Sequence, residues 1–235
     1  MATFYCALDG ATFAPCASHH SAAGLSDGGH SFRVKAVDLA GNESATPSVS
    51  WTIDTTAPLT AISSVTPAGS LVSSTSMSLS FSSPESNATF VCSLDGAAAT
   101  ACTSPHSYSG LAQGAHSFIV RARDTLGNTD PAGASYSWSV DTIAPSTQAI
   151  LASSLTASSA VITWTSNEPS TTQVRYGSGG VLSKSTSENM QLTTSHSITL
   201  TGLTAFTVYT YQVVSHDAAG NTGQSGSNLV FRTTR

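Results

Sequence analysis

Residues 2–10 read ATFYCALDG and residues 88–96 read ATFVCSLDG. Seven identities in nine positions, 86 residues apart, mark an internal repeat. The register holds outward from that stretch. Cys6 and Cys16 correspond to Cys92 and Cys102, His30 to His116, and Asp38-x-x-Gly41-Asn42 to Asp124-x-x-Gly127-Asn128. One residue is then inserted, so Trp51 matches Trp138, and DTTAP at 54–58 matches DTIAP at 141–145, at an offset of 87. The 235 residues divide into units 1–58, 59–145 and 146–235; the third diverges but keeps Asp217-x-x-Gly220-Asn221.

Period-two alternation inside the units predicts half-buried antiparallel strands. SMSLSFS at 76–82 sets Met77, Leu79 and Phe81 between serines, SFIVRAR at 117–123 does the same with Phe118, Val120 and Ala122, and 135–141 puts Tyr136, Trp138 and Val140 on one face. Gly and Asn clusters between these runs supply turns. No window carries a helical stripe. The expected fold class is all-β, a tandem of antiparallel sandwiches of about 90 residues each.

Composition supports this and excludes other classes. Ser and Thr total 74 of 235 residues, while charged residues are 9%, against about 25% in ordinary soluble domains. Eight Lys and Arg with a net charge of −5 cannot form a phosphate-tracking surface, so no nucleic-acid partner is expected. No apolar run approaches the roughly 18 residues of a membrane span. An apolar share of 40% argues against disorder. No Gly-x-Ser-x-Gly elbow, His-Glu-x-x-His motif or phosphate loop occurs, so no enzyme activity is expected within the chain.

Cys6/Cys16 and Cys92/Cys102 are each ten residues apart around an Asp-Gly turn. An even count at equivalent repeat positions predicts two local disulfides and an oxidising compartment. If the cysteines face each other, the hairpins centre on Ala11 and Ala97. His30 and His116, in repeat register, are expected to be structural.

The pattern F-x-C-x-L-D-G…C…G-L…G-x-H-S-F-x-V-x-A…D-x-x-G-N…W-x-x-D-T-x-A-P, in units 1 and 2, resembles the bacterial immunoglobulin-like repeats of large secreted and surface proteins. Unit 3 resembles a fibronectin type III module. Trp164 lies in AVITWTS, Val174-Arg175-Tyr176-Gly177 follows, and Leu203-x-x-x-Thr207-x-Tyr209 has the spacing of that family's tyrosine corner. Ala205 replaces the usual Pro, which implies a looser corner. The resemblance implies tandem immunoglobulin-like and fibronectin type III-like sandwiches, and an extracellular or cell-surface scaffolding or adhesive role.

In that topology the B–C and F–G loops lie at the end of a sandwich that receives the preceding linker. Glu85, Asp124 and Asn128 then meet Asp54 at one joint, and Glu168, Asp217 and Asn221 meet Asp141 at the next. Asp38 with Asn42 forms a half-set in unit 1. Six of the 13 acidic residues fall in the two full sets. Gathered carboxylates repel unless neutralised, and hard oxygen donors suit Ca²⁺. The resemblance also implies inter-domain calcium. The same residues read equally as turn chemistry: Gly-Asn turns and local Asp-Thr caps.

Unit 2 has residues 59–87 ahead of its ATFVC stretch, expected as two strands, whereas unit 1 has only Met1 there. Unit 1, 1–58, is therefore expected to be an incomplete sandwich. Either the sequence is a piece of a longer array, or a neighbouring chain acts as a strand donor that completes it. Met1 opens no signal peptide, so an exported protein would carry its signal upstream. Expected partners are neighbouring modules or subunits of the same protein. The leading functional expectation is a non-catalytic, calcium-stiffened extracellular rod or filament in adhesion. The alternatives are a spacer, or a carbohydrate- or protein-binding module, of a larger secreted enzyme.

Overall fold

A computed structural model describes residues 2–226 and 229–235; Met1, Ser227 and Asn228 lie outside the described residues. Every regular element among the described residues is a strand. Unit 1 contributes β1 (Thr3–Leu8), β2 (Ala14–Cys16), β3 (Gly28–Val37) and β4 (Ser48–Ile53), in one sheet of order β2-β1-β3-β4.

Unit 2 adds β5 (Ala61–Thr66), β6 (Leu71–Val72), β7 (Met77–Ser82), β8 (Thr89–Leu94), β9 (Thr100–Cys102), β10 (His106–Tyr108), β11 (Gly114–Arg123) and β12 (Ala134–Val140). Sheet β10-β7-β5 faces sheet β6-β12-β11-β8-β9. Met77, Leu79 and Phe81 of β7 close against Phe118, Val120 and Trp138 of the opposite sheet, and all six are buried. Alternation thus does its expected work, with apolar side chains inward and serines outward. Residues 59–87 form three strands where two were expected, because β6 crosses to the second sheet and pairs parallel with β12.

Unit 3 follows with β13 (Thr147–Ser153), β14 (Ser159–Ser178), β15 (Lys184–Ser185), β16 (Asn189–Thr201), β17 (Val208–His216), β18 (Thr222–Gln224) and β19 (Leu229–Arg232). The expected loop bearing Glu168 is instead part of a continuous 20-residue β14. Its first half pairs with β13 and β16 and its second half with β17, through register shifts around Ser170. Both halves have partners, so the chain bends from one layer to the other without leaving extended conformation. Trp164 lies buried on β14 with its indole N–H donating to Ser215 at 3.2 Å. The tyrosine corner closes despite Ala205, the Thr204 amide donating to the Tyr209 hydroxyl at 2.9 Å.

Cys6–Cys16 and Cys92–Cys102 are disulfide-bonded. The hairpins centre on Gly10 and Gly96, not on Ala11 and Ala97. Cys6 pairs with Ala14 and Cys92 with Thr100, so each disulfide runs diagonally across the ladder. A two-residue turn followed by one unmatched residue sets this register: Leu8 closes on Ala11 and Leu94 on Ala97, yet Cys6 pairs with Ala14 and Cys92 with Thr100. Asp9-Gly10 and Asp95-Gly96 all have positive φ, and Ala11 and Ala97 donate back to Leu8 and Leu94, the two-residue loop that suits strand twist.

Candidate functional site: two acidic joints

The same local fold occurs three times. Asp38, Asp124 and Asp217 each accept from the main-chain amide four residues on (Asn42, Asn128 and Asn221) at 2.9 Å through Oδ1. Each also accepts from that residue's side-chain amide through Oδ2, at 2.8, 2.6 and 2.8 Å. The intervening Gly41, Gly127 and Gly220 have φ of 87°, 102° and 88°, the left-handed turn only glycine adopts without strain. This is an Asx-type closure, as Asp and Asn favour in turns.

At two of the three loops a linker arrives. Asn128 Nδ2 also donates to the Asp54 carbonyl at 2.8 Å, and Asn221 Nδ2 to the Asp141 carbonyl at 2.8 Å. Each asparagine therefore braces an incoming linker against the loop of the next sandwich, and its amide nitrogen turns toward protein. Asp38 and Asn42 form the same loop with no linker bonded to it among the described residues, and both are exposed.

Beside each brace the structure brings three carboxylates together. Asp54, Glu85 and Asp124 each place one oxygen within 4.8 Å of the others, and so do Asp141, Glu168 and Asp217. Asp124 and Asp217 are buried, and the other four are half-buried. Burial would push the Asp124 carboxyl up, but the donors from Asn128, Gly127 and Leu126 outweigh it and hold it below the ordinary range. Glu168 goes the other way: burial, then the charges of Asp141 and Asp217, raise it. It registers the crowding of the second joint.

Two residues absent from the sequence expectation tie the linkers from the other side. Asp27 accepts from the Thr55 amide at 3.1 Å and from the Thr55 and Thr56 hydroxyls. Gln113 occupies the same repeat position. It accepts from the Thr142 amide at 3.0 Å and donates to Asp141 Oδ1 at 2.7 Å. Their shared register was the available signal, but Asp and Gln differ in charge, so a search for identities passes over them. Asn167, next to Glu168, accepts from the Ser146 amide at 2.6 Å.

His30 and His116 stand apart from the joints. Each sets Nδ1 on a carboxylate oxygen (Asp9 at 2.8 Å, Asp95 at 2.7 Å) and Nε2 on a carbonyl (Ser26 at 2.8 Å, Ala112 at 2.9 Å). Both nitrogens face acceptors, so only the doubly protonated ring satisfies both.

Residues 145–233 match the family described as Purple acid Phosphatase, N-terminal domain. Exoglucanase B of Cellulomonas fimi is 33% identical over 224 residues, which cover 87% of this chain and 20% of that relative. The chain therefore spans about a fifth of that relative's length. Among solved structures, the chicken CNTN1 FN1–FN3 domains align over 100% of this chain and 89% of theirs, with 12% identity and a TM-score of 0.50. Titin domains A168–A170 align over 87% and 75%, with 14% identity and a TM-score of 0.52. These likenesses agree with the fold: the chain is an all-β tandem of immunoglobulin- and fibronectin type III-type sandwiches. No helix among the described residues is long and apolar enough to cross a membrane.

Proposed function

We propose that this chain is the spacer region of a larger secreted glucan-degrading enzyme, a short rod of sandwiches that sets the distance between functional domains. One observation carries the reading: a third of its residues are shared with an exoglucanase along most of this chain, yet over only a fifth of that enzyme. The two disulfides fit an extracellular setting. Among the roles expected from the sequence, the enzyme spacer has this support and the adhesive filament has none comparable.

A rod needs joints that resist bending, and a divalent cation at each acidic joint supplies that. Oxygens bound to one Ca²⁺ at about 2.4 Å lie no more than about 4.8 Å apart, the spread that each carboxylate trio already fits. Asp54, Glu85 and Asp124 would hold one ion, and Asp141, Glu168 and Asp217 a second. The ligands come from linker and loop alike, so an ion there fastens one module to the next. Asn128 and Asn221 orient the acids, and Asp38 with Asn42 repeat the loop outside any carboxylate trio among the described residues.

The test has two parts. The chain is inserted between a glucanase catalytic domain and a carbohydrate-binding domain, then compared with a Gly/Ser linker of equal reach on insoluble and soluble glucan. Faster attack on the insoluble substrate alone is expected; equal rates on both overturn the spacer reading. Calorimetric titration with CaCl₂ is expected to show two sites, and small-angle scattering a longer particle with calcium than with chelator. No heat and no change in shape overturn the calcium joints.

A further inference from the structure

Two segments have the Asn-x-Ser/Thr spacing that N-linked glycan transfer reads, Asn42-Glu43-Ser44 and Asn87-Ala88-Thr89. No other asparagine has a hydroxyl residue two places on. Transfer to a folded chain needs a reachable side-chain amide, an accessible hydroxyl, and backbone that the transferase can draw into its cleft. The structure separates the two segments on all three.

Asn42 is held fast. Its Nδ2 donates to Asp38 Oδ2 at 2.8 Å and its main-chain amide to Asp38 Oδ1 at 2.9 Å. The Asp38 amide donates back to the Asn42 carbonyl at 3.0 Å, and Glu43 forms a bridge with Val37. The Ser44 hydroxyl accepts from the Ala36 amide at 2.9 Å and donates to the Ala45 carbonyl at 2.7 Å. Drawing this segment out would break every one of these bonds.

Asn87 is free by comparison. It is exposed in the turn between β7 and β8, with φ of 65°, a left-handed conformation in which asparagine is enriched. Residues 83–88 make no strand pairing, and the side-chain bond within them is Glu85 N to Ser83 Oγ at 3.3 Å. The Asn87 side-chain amide has no hydrogen-bond partner among the described residues. Thr89 makes one exposed bond, to the Arg123 carbonyl at 3.2 Å, which water can replace. Glu85 stands two residues ahead of Asn87, the place where bacterial transferases read an acid in addition to the hydroxyl. Ala40 stands at that place ahead of Asn42.

We propose that Asn87 is a glycan-acceptor site for a bacterial-type oligosaccharyltransferase, and that Asn42 is not. The co-substrate is an oligosaccharide joined through pyrophosphate to a polyprenyl lipid. The Asn87 amide nitrogen attacks its anomeric carbon; the N–C bond forms, the bond from that carbon to the pyrophosphate oxygen breaks, and the lipid pyrophosphate leaves with the electron pair. The amide, which carries two protons, gives one to a base of the transferase. The modification rests on the reading that the chain is secreted, since this transfer takes place beyond the export membrane.

The test produces the full chain, with an added export leader, in a bacterial periplasm together with such a transferase and its lipid-linked oligosaccharide. Intact-mass and glycopeptide spectra are expected to show one oligosaccharide, on the peptide holding Asn87, and none on the peptide holding Asn42. Thr89→Ala is expected to abolish the glycan and Thr89→Ser to keep it; both leave Asn87 and its left-handed turn in place. Ala40→Glu gives Asn42 the missing acid and is still expected to leave it bare. An unmodified chain in the periplasm overturns the proposal, and so does a glycan that survives Thr89→Ala or one on Asn42 in Ala40→Glu. The leader supplies export, so a bare Asn87 counts against the acceptor site and leaves the spacer reading to its own test.

Discussion

The side-chain amide of Asn128 donates to the main-chain carbonyl of Asp54 across 2.8 Å and 74 residues of sequence. Asn221 repeats the bond to Asp141 across 80 residues. A linker tied at its backbone loses freedom whatever side chains it carries. This part of the joint is built into the loop fold and does not wait for an ion.

Asn128→Ala and Asn221→Ala each remove a linker brace and a bond to the loop aspartate. Each is expected to cost about 1–2 kcal/mol of stability, the usual net worth of one or two such bonds, and to widen the distribution of particle lengths. Denaturant unfolding with small-angle scattering reads both. Asn42→Ala, which breaks the same loop without a linker, is expected to leave the length distribution unchanged.

Glu168→Gln separates repulsion from ion binding. Without divalent ions the Glu168 carboxylate is raised in pKa by burial and then by the charges of Asp141 and Asp217, so neutralising it is expected to raise the melting temperature in chelator. In calcium the parent chain is expected to gain stability and the variant to gain less. A variant that melts lower in chelator contradicts the crowding described for this joint.

Histidines in this chain have opposite pH slopes. His30 and His116 are raised above 6.5, by the Asp9 carboxylate and Ser26 carbonyl in one case and the Ala112 carbonyl and Asp95 carboxylate in the other. The stability they contribute is full below 6.5 and is lost as pH rises through the elevated values. His196 is buried against Trp164 at 4.8 Å, and burial lowers it. Its contribution is full above 6.5 and is lost as pH falls. Melting curves from pH 5 to 9 are expected to show His116→Gln flattening the alkaline decline of unit 2, and His196→Gln the acid decline of unit 3.

Phe118→Ala and Phe32→Ala are the same change at the same repeat position. Phe118 is fully buried, and its truncation is expected to cost about 3–5 kcal/mol. Phe32 is half-buried, and its truncation is expected to cost under half as much. Chemical denaturation of the two variants checks the ratio.

Gly223→Ala tests the packing of a linker against its module. A Cβ at Gly223 would stand 1.8 Å from the Pro145 carbonyl oxygen, a clash that only backbone movement relieves. A loss of about 1–3 kcal/mol is expected, confined to unfolding of unit 3.

Much of this architecture was legible in the residues. The ATFYC/ATFVC register brought out the repeat, alternation placed the central strands, and loop positions in a sandwich placed Glu85 with Asp124 and Glu168 with Asp217. What escaped depended on pairing. The diagonal disulfides follow from one extra residue between the two-residue turn and the ladder, which sets Cys92 opposite Thr100, and cysteine spacing alone does not set that register. The continuity of β14 through Glu168 arises because each half finds a different sheet, a tertiary fact. Asp27 and Gln113 share a position and a task but not a residue type.

The scarcity of charge has a consequence for survival outside a cell. Trypsin-like proteases cut after Lys or Arg and need the target bond peeled into an extended, accessible loop. Only eight such residues occur, and Arg33, Lys35, Arg121, Arg123, Arg175, Lys184 and Arg232 all lie within strands. The exposed loops are instead rich in Ser, Thr, Gly and Ala, leaving an attacking trypsin-like enzyme almost nothing to grip until a sandwich has come apart.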